Sequence, residues 1–132
     1  EGRGRAQQGL EIWDDYIFSC EDGGHVNIYD FKSADPKPVA GFELASSHPD
    51  NHVNNVCFGV ETKRGASFPL LYITNGKVGS ELEWLCFVES ITRRGKRFSS
   101  EIVQTLVRQA GWSIGNGDLY GYSRRVNVLW RR

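Results

Sequence analysis

Residues 10–30 read LEIWDDYIFSCEDGGHVNIYD, and this stretch decides the fold class. Leu10 and Ile12, then Tyr16 and Phe18, alternate with their neighbours around Asp14-Asp15, the pattern of two strands joined by a tight acidic connection. Gly23 and Gly24 supply the positive backbone angles of a second reversal. Val26 and Ile28 then mark a third strand that ends at Asp30-Phe31. Residues 32–38 hold Pro36 and Pro38 and cannot stay in a ladder, so they form a loop before a fourth strand over residues 39–45.

The same four-run order returns further along. Runs at 10–13, 16–20, 26–30 and 42–45 find counterparts at 56–59, 70–74, 85–89 and 102–105. The spacing grows from Leu10-to-Val56 to Phe42-to-Ile102, each step falling in a turn where the second copy carries extra loop. Four strands per repeat of roughly 40–50 residues is the signature of propeller blades. The expected fold is therefore all-β and propeller-like: a flexible lead-in over 1–9, then a single domain over 10–132. That domain comprises a four-stranded antiparallel blade at 10–45, a second at 53–107 and a partial third at 112–132. Two and a half blades do not close a ring. The chain is thus expected to be a fragment, a rearranged product or one protomer of an assembly, with self-association through open faces carrying Trp13, Phe18, Trp84 and Phe87.

One segment reads two ways. Ile102, Val103, Leu106, Val107 and Ala110 have the spacing of a helix face, between a serine cap and Gly111. Their place as fourth run of the second copy favours strand instead.

Length and charge bound the rest. A chain of 132 residues buries roughly two-thirds of its unfolded surface as one domain. Sixteen basic and 16 acidic side chains cancel, so no global field draws it to nucleic acid or an anionic membrane. Arg93, Arg94, Lys96 and Arg97 read as a solvated turn, and Arg124, Arg125, Arg131 and Arg132 as a frayed terminus. No apolar run reaches the roughly 18 residues of a membrane span. Cys20, Cys57 and Cys86 lie inside apolar strand patterns and read as buried free thiols rather than a disulfide framework or zinc knuckle.

Four stretches carry a resemblance: residues 9–19 (GLEIWDDYIFS), 24–30 (GHVNIYD), 50–55 (DNHVNN) and 68–73 (FPLLYI). They resemble TolB-like or WD-like blades of secreted or lipid-anchored propeller proteins from gut Bacteroides-type bacteria. The resemblance covers about residues 9–107 and implies an extracellular or periplasmic location; family members are whole propellers, longer than this chain.

The chemistry-bearing run is Ser47-His48-Pro49-Asp50-Asn51-His52-Val53-Asn54-Asn55. Imidazole and carboxylate at this spacing suit a metal, and amides suit sugar hydroxyls or a peptide backbone. The same residues also suit a structural role, with Asp50 and Asn51 shaping the turn. With no cysteine and one carboxylate, the expectation is ligand contact by His48, Asp50, Asn51, His52, Asn54 and Asn55 without metal or cofactor. His25 reads as a surface turn residue. Nucleophile elbow, phosphate loop and dinucleotide fingerprint are all missing from the sequence. The leading reading is a non-catalytic module binding a protein or glycan, with no nucleic-acid partner. The alternatives are a glycan-active hydrolase or lyase using His48, Asp50 and His52, and a structural, self-associating fragment.

Overall fold

The computed structural model describes residues 5–74, 79–82 and 85–107. Eight strands follow in chain order: β1 (Gln7–Trp13), β2 (Tyr16–Glu21), β3 (His25–Asp30), β4 (Ala40–Glu43), β5 (Asn55–Phe58), β6 (Leu71–Thr74), β7 (Leu85–Arg94) and β8 (Arg97–Val107). They form two four-stranded antiparallel sheets, each a meander in which every strand pairs with the next: β1 to β4, then β5 to β8. All-β character follows, and there is no helix among the described residues. No closed ring or barrel is formed by them, and the expected third unit at 112–132 lies outside them, as do Trp84, Trp112 and Trp130.

The turn chemistry is local. Trp13 pairs with Tyr16 across Asp14-Asp15, and Asp14 takes φ 54, a left-handed angle that a short carboxylate side chain tolerates. Gly23 and Gly24 sit at φ 93 and φ 100, beyond the reach of ordinary L residues. Arg94 pairs with Arg97 across Gly95-Lys96, with Gly95 at φ 63. The segment between Phe31 and Val39 is exposed loop, as its prolines require.

The sheets stack so that β1 lies against β5 and β4 against β8. Alternation drives this. Phe18, Cys20, Val26, Ile28, Phe42 and Leu44 turn from the first sheet into the shared core, where Val56, Leu71, Ile73, Ile91 and Phe98 meet them. Phe18 packs edge-on against Phe58 and Phe68, each at 5.1 Å, and Phe68 stacks on Phe98 at 5.8 Å. Burying a phenylalanine in such a site contributes about 1.5–3 kcal/mol. Gly9 lets β1 approach closely, since a Cβ there would meet Val56 at 3.1 Å.

Two expectations change, and one double reading is decided. Order in β1 starts at Gln7, not Leu10: Gln7 pairs with Glu21, its amide donates to the Glu21 carboxylate at 3.2 Å, and Asp22 N donates to Ala6 O at 3.0 Å. Polar side chains with partners across the strand anchor what composition alone reads as lead-in. Phe18 is fully buried and Phe87 nearly so, because both enter the inter-sheet core; neither lies on an open face. Trp13 is exposed as expected, and Leu10 and Ile12 of the first sheet are exposed with it. Residues 102–107 are strand, as their place in the second copy favours: they belong to β8, in register with β7, while Ala110 lies outside the described residues.

Cys20 and Cys86 are buried, Cys57 is half-buried, and all three are free thiols. Burial, with the Glu89 carboxylate second, pushes the Cys20 thiol up to about 12, and burial does the same for Cys86.

Candidate functional site

Strand directions place the β2–β3 turn and the connection from β4 to β5 at the same end of the sheets. There the two pieces of backbone dock. Gly23 N donates to Asn51 O at 2.8 Å, His48 N to Gly23 O at 3.1 Å, and Ser47 Oγ to Gly23 O at 2.8 Å. Gly24 is required by this docking as well as by its φ, because a Cβ there would lie 2.8 Å from Ser47 Cα. The connection coils on itself through Ser47 N to Leu44 O and Asn51 N to His48 O, each at 2.9 Å.

Two buried polar side chains clamp the connection from beneath. Glu89, fully buried on β7, accepts the backbone N–H groups of Ala45 and Ser46, both at 2.9 Å, and the Ser100 hydroxyl at 2.7 Å. A carboxylate removed from water is tolerated when its lone pairs are taken up in this way. Asn51, also fully buried, donates from Nδ2 to Ser46 O at 2.9 Å and Ser46 Oγ at 3.1 Å, while its Oδ1 accepts Val53 N at 3.1 Å. Val53 is held at φ 42, a rare angle for a β-branched residue, with its side chain fully buried.

The clamped connection borders a depression of about 330 Å3 lined by Arg5, Asp22, Gly23, Ser47, His48 and Pro49. His48 is exposed, and its Nδ1 accepts Asp50 N at 3.0 Å; the neutral ring then carries its proton on Nε2 and offers a donor. His52 Nδ1 lies 2.7 Å from Asp22 Oδ1, the arrangement in which a ring N–H donates to a carboxylate. His25 makes the same kind of pair with Glu43 at 2.8 Å, and Glu43 also accepts from Ser47 Oγ at 3.1 Å. His25 is therefore half-buried and engaged on the sheet.

Of the six residues singled out by sequence, His48 lines the depression and His52 adjoins it through Asp22. Asp50 contributes its backbone N–H to His48. Asn51 points inward as part of the clamp. Asn54 and Asn55 lead into β5: Asn54 N donates to Thr74 O at 3.0 Å, and Asn55 Oδ1 accepts Val56 N at 2.9 Å. Sequence reasoning missed Arg5 and Asp22, and placed Ser47 in the polar run without a contact role. The available signal was the adjacent glycine pair, which announces a backbone surface on which another segment can lie.

Among the described residues no three His, Cys, Asp or Glu side chains gather in an arrangement that would hold a metal ion. No helix among them is long and apolar enough to cross a membrane. No family model matches the chain, and neither a curated protein nor a solved structure is significantly similar to it.

Proposed function

We propose that the chain is a non-catalytic binding module of propeller type, which contacts a glycan or protein ligand through the depression between the Gly23 turn and the 46–52 connection. One observation carries this reading: the Glu89 and Asn51 clamp holds the connection rigid from below while His48, Asp22 and Arg5 face outward. A polar surface ordered before binding loses little entropy when a ligand arrives. An imidazole donor, a carboxylate acceptor and a guanidinium suit sugar hydroxyls or peptide amides. Two meander sheets stacked first strand on first strand and last on last agree with successive blades.

The test is a 1H–15N titration with a panel of oligosaccharides and short peptides. The expected result is a set of amide shifts concentrated at Asp22, Gly23, Ser47 and His48, weakened in His48→Ala, with no turnover of the ligand. Shifts confined to other surfaces would refute the assignment.

The His52–Asp22 pair favours a second reading, a glycan-active enzyme with His52 as base and Asp22, rather than Asp50, as its orienting carboxylate. Glycan cleavage that is lost in both His52→Ala and Asp22→Asn would establish it in place of the binding module.

A further inference from the structure

The opposite end of the sheets carries a second cleft. Its walls are the loop between Phe31 and Val39 and the Gly95 turn of the β7–β8 hairpin, and it encloses about 410 Å3, within the range of about 300–1,000 Å3 common for binding sites. The loop wall is shaped by its own side chains. Asp30 Oδ1 accepts Lys32 N at 2.9 Å, and Asp35 Oδ1 accepts Lys37 N at 3.0 Å. The hairpin wall is basic.

We propose that this cleft binds an acidic polypeptide segment, with Arg93 as the anchor for one of its carboxylates. Arg93 is already set in place: Ser67 Oγ accepts its backbone N–H at 2.9 Å, its Nε donates to Gly95 O at 2.8 Å, and its guanidinium lies 5.0 Å from the centre of the Tyr16 ring. With Nε engaged by the turn, the two terminal amino groups form the planar fork that matches a carboxylate. Stacking on the ring reduces the freedom an exposed arginine would otherwise lose on binding.

Charge supports the sign of the ligand. Lys37, Arg93 and Lys96 line the cleft against Asp30 and Asp35, and Arg94 and Arg97 flank the same turn. Among the described residues none of these five cations forms an ion pair; the pairs found are His25–Glu43, Lys32–Asp15, His52–Asp22 and Lys63–Glu101. In a chain of zero net charge this is a local excess without an ion-pair partner among the described residues.

The lining also selects a peptide over a nucleic acid. Asp30 and Asp35 would repel a phosphate backbone laid through the cleft, whereas an extended peptide brings N–H donors to them and acidic side chains to Arg93 and Lys96. Pro38 and Val39, the latter 44% exposed, make an apolar shelf beside Tyr16 for a side chain next to the acid.

The experiment is fluorescence anisotropy at about 50 mM salt, where surface charge is weakly screened. The probes are a fluorescein-labelled peptide alternating glutamate and leucine, and labelled oligothymidine. The expected result is peptide binding that falls about tenfold in Arg93→Ala and severalfold in Lys96→Ala, with oligothymidine much weaker. Lys96 is exposed, so Lys96→Ala keeps the fold even if removing Arg93 disturbs the Tyr16 contact. Absence of peptide binding at millimolar concentration, or binding unchanged in both variants, would overturn the proposal. So would oligothymidine binding as tight as the peptide with the same dependence on Arg93.

Discussion

Glu89 on β7 accepts the backbone N–H of Ser46 at 2.9 Å, joining the middle of the second sheet to the segment that leaves the first. Glu89→Ala strands that donor, leaves Ala45 N with the Ser100 hydroxyl as its remaining acceptor at 2.8 Å, and takes away the acceptor of the Ser100 hydroxyl proton. A buried donor left unpaired costs about 1–3 kcal/mol, so a loss of about 2 kcal/mol is expected, against about 1 kcal/mol for Ser100→Ala. Urea unfolding midpoints measure both. A Glu89→Ala protein as stable as the parent would show that the clamp does not hold the sheets.

Gly24 tests the docking of the connection. Its φ of 100 and the 2.8 Å approach of Ser47 Cα leave no room for a side chain. Gly24→Ala is expected to lose about 2–3 kcal/mol, well beyond the helpful effect of alanine at a permissive glycine. Gly65→Ala is the control: φ is also positive, at 86, but nothing lies within 4 Å, so only the backbone strain remains. Equal losses at the two sites would mean that Ser47 does not press on the turn.

The strands were legible where one face alternates, as at Tyr16, Phe18 and Cys20 or Val26 and Ile28. β8 was ambiguous for a physical reason. Glu89 pairs with Ile102 while Val88 pairs with Gln104, so the ladder skips Val103 and the alternation changes phase there. Adjacent Ile102 and Val103 then imitate the spacing of a helix face. At the site, the polar character of residues 47–55 was legible, but direction was not: Asn51 turns inward to Ser46, and His52 finds Asp22 thirty positions away in sequence. Such partners are set by the stacking of the sheets, which periodicity does not encode.

Alkaline pH is expected to weaken the fold. Burial first, then the Glu89 charge, raises the Cys20 thiol from 9.0 to about 12, and burial raises Cys86 likewise. Tyr72 rises from 10.0 to about 12 through burial, then Glu61 and the neighbouring cysteines. Each group holds its proton longer in the folded chain than in the unfolded one, so its contribution is complete below about pH 9 and is lost as pH rises toward 12. Urea midpoints across this window should fall, and fall less steeply in Cys20→Ala. A midpoint that stays level to about pH 11 would contradict the burial of these thiols.

Asn51 and His48 separate scaffold from contact surface. Asn51→Asp replaces the donor facing Ser46 O with an acceptor in a fully buried position, and a loss of about 2 kcal/mol or more is expected. His48 is exposed and lines the depression, so His48→Ala should change stability by no more than about 0.5 kcal/mol. Ligand affinity lost in His48→Ala at an unchanged urea midpoint therefore marks direct contact. Affinity lost in Asn51→Asp should instead track its stability, recovering at low temperature or with added osmolyte as the connection is restored. A neutral Asn51→Asp, or a His48→Ala that unfolds as readily as the Glu89 variant, would reverse the two roles.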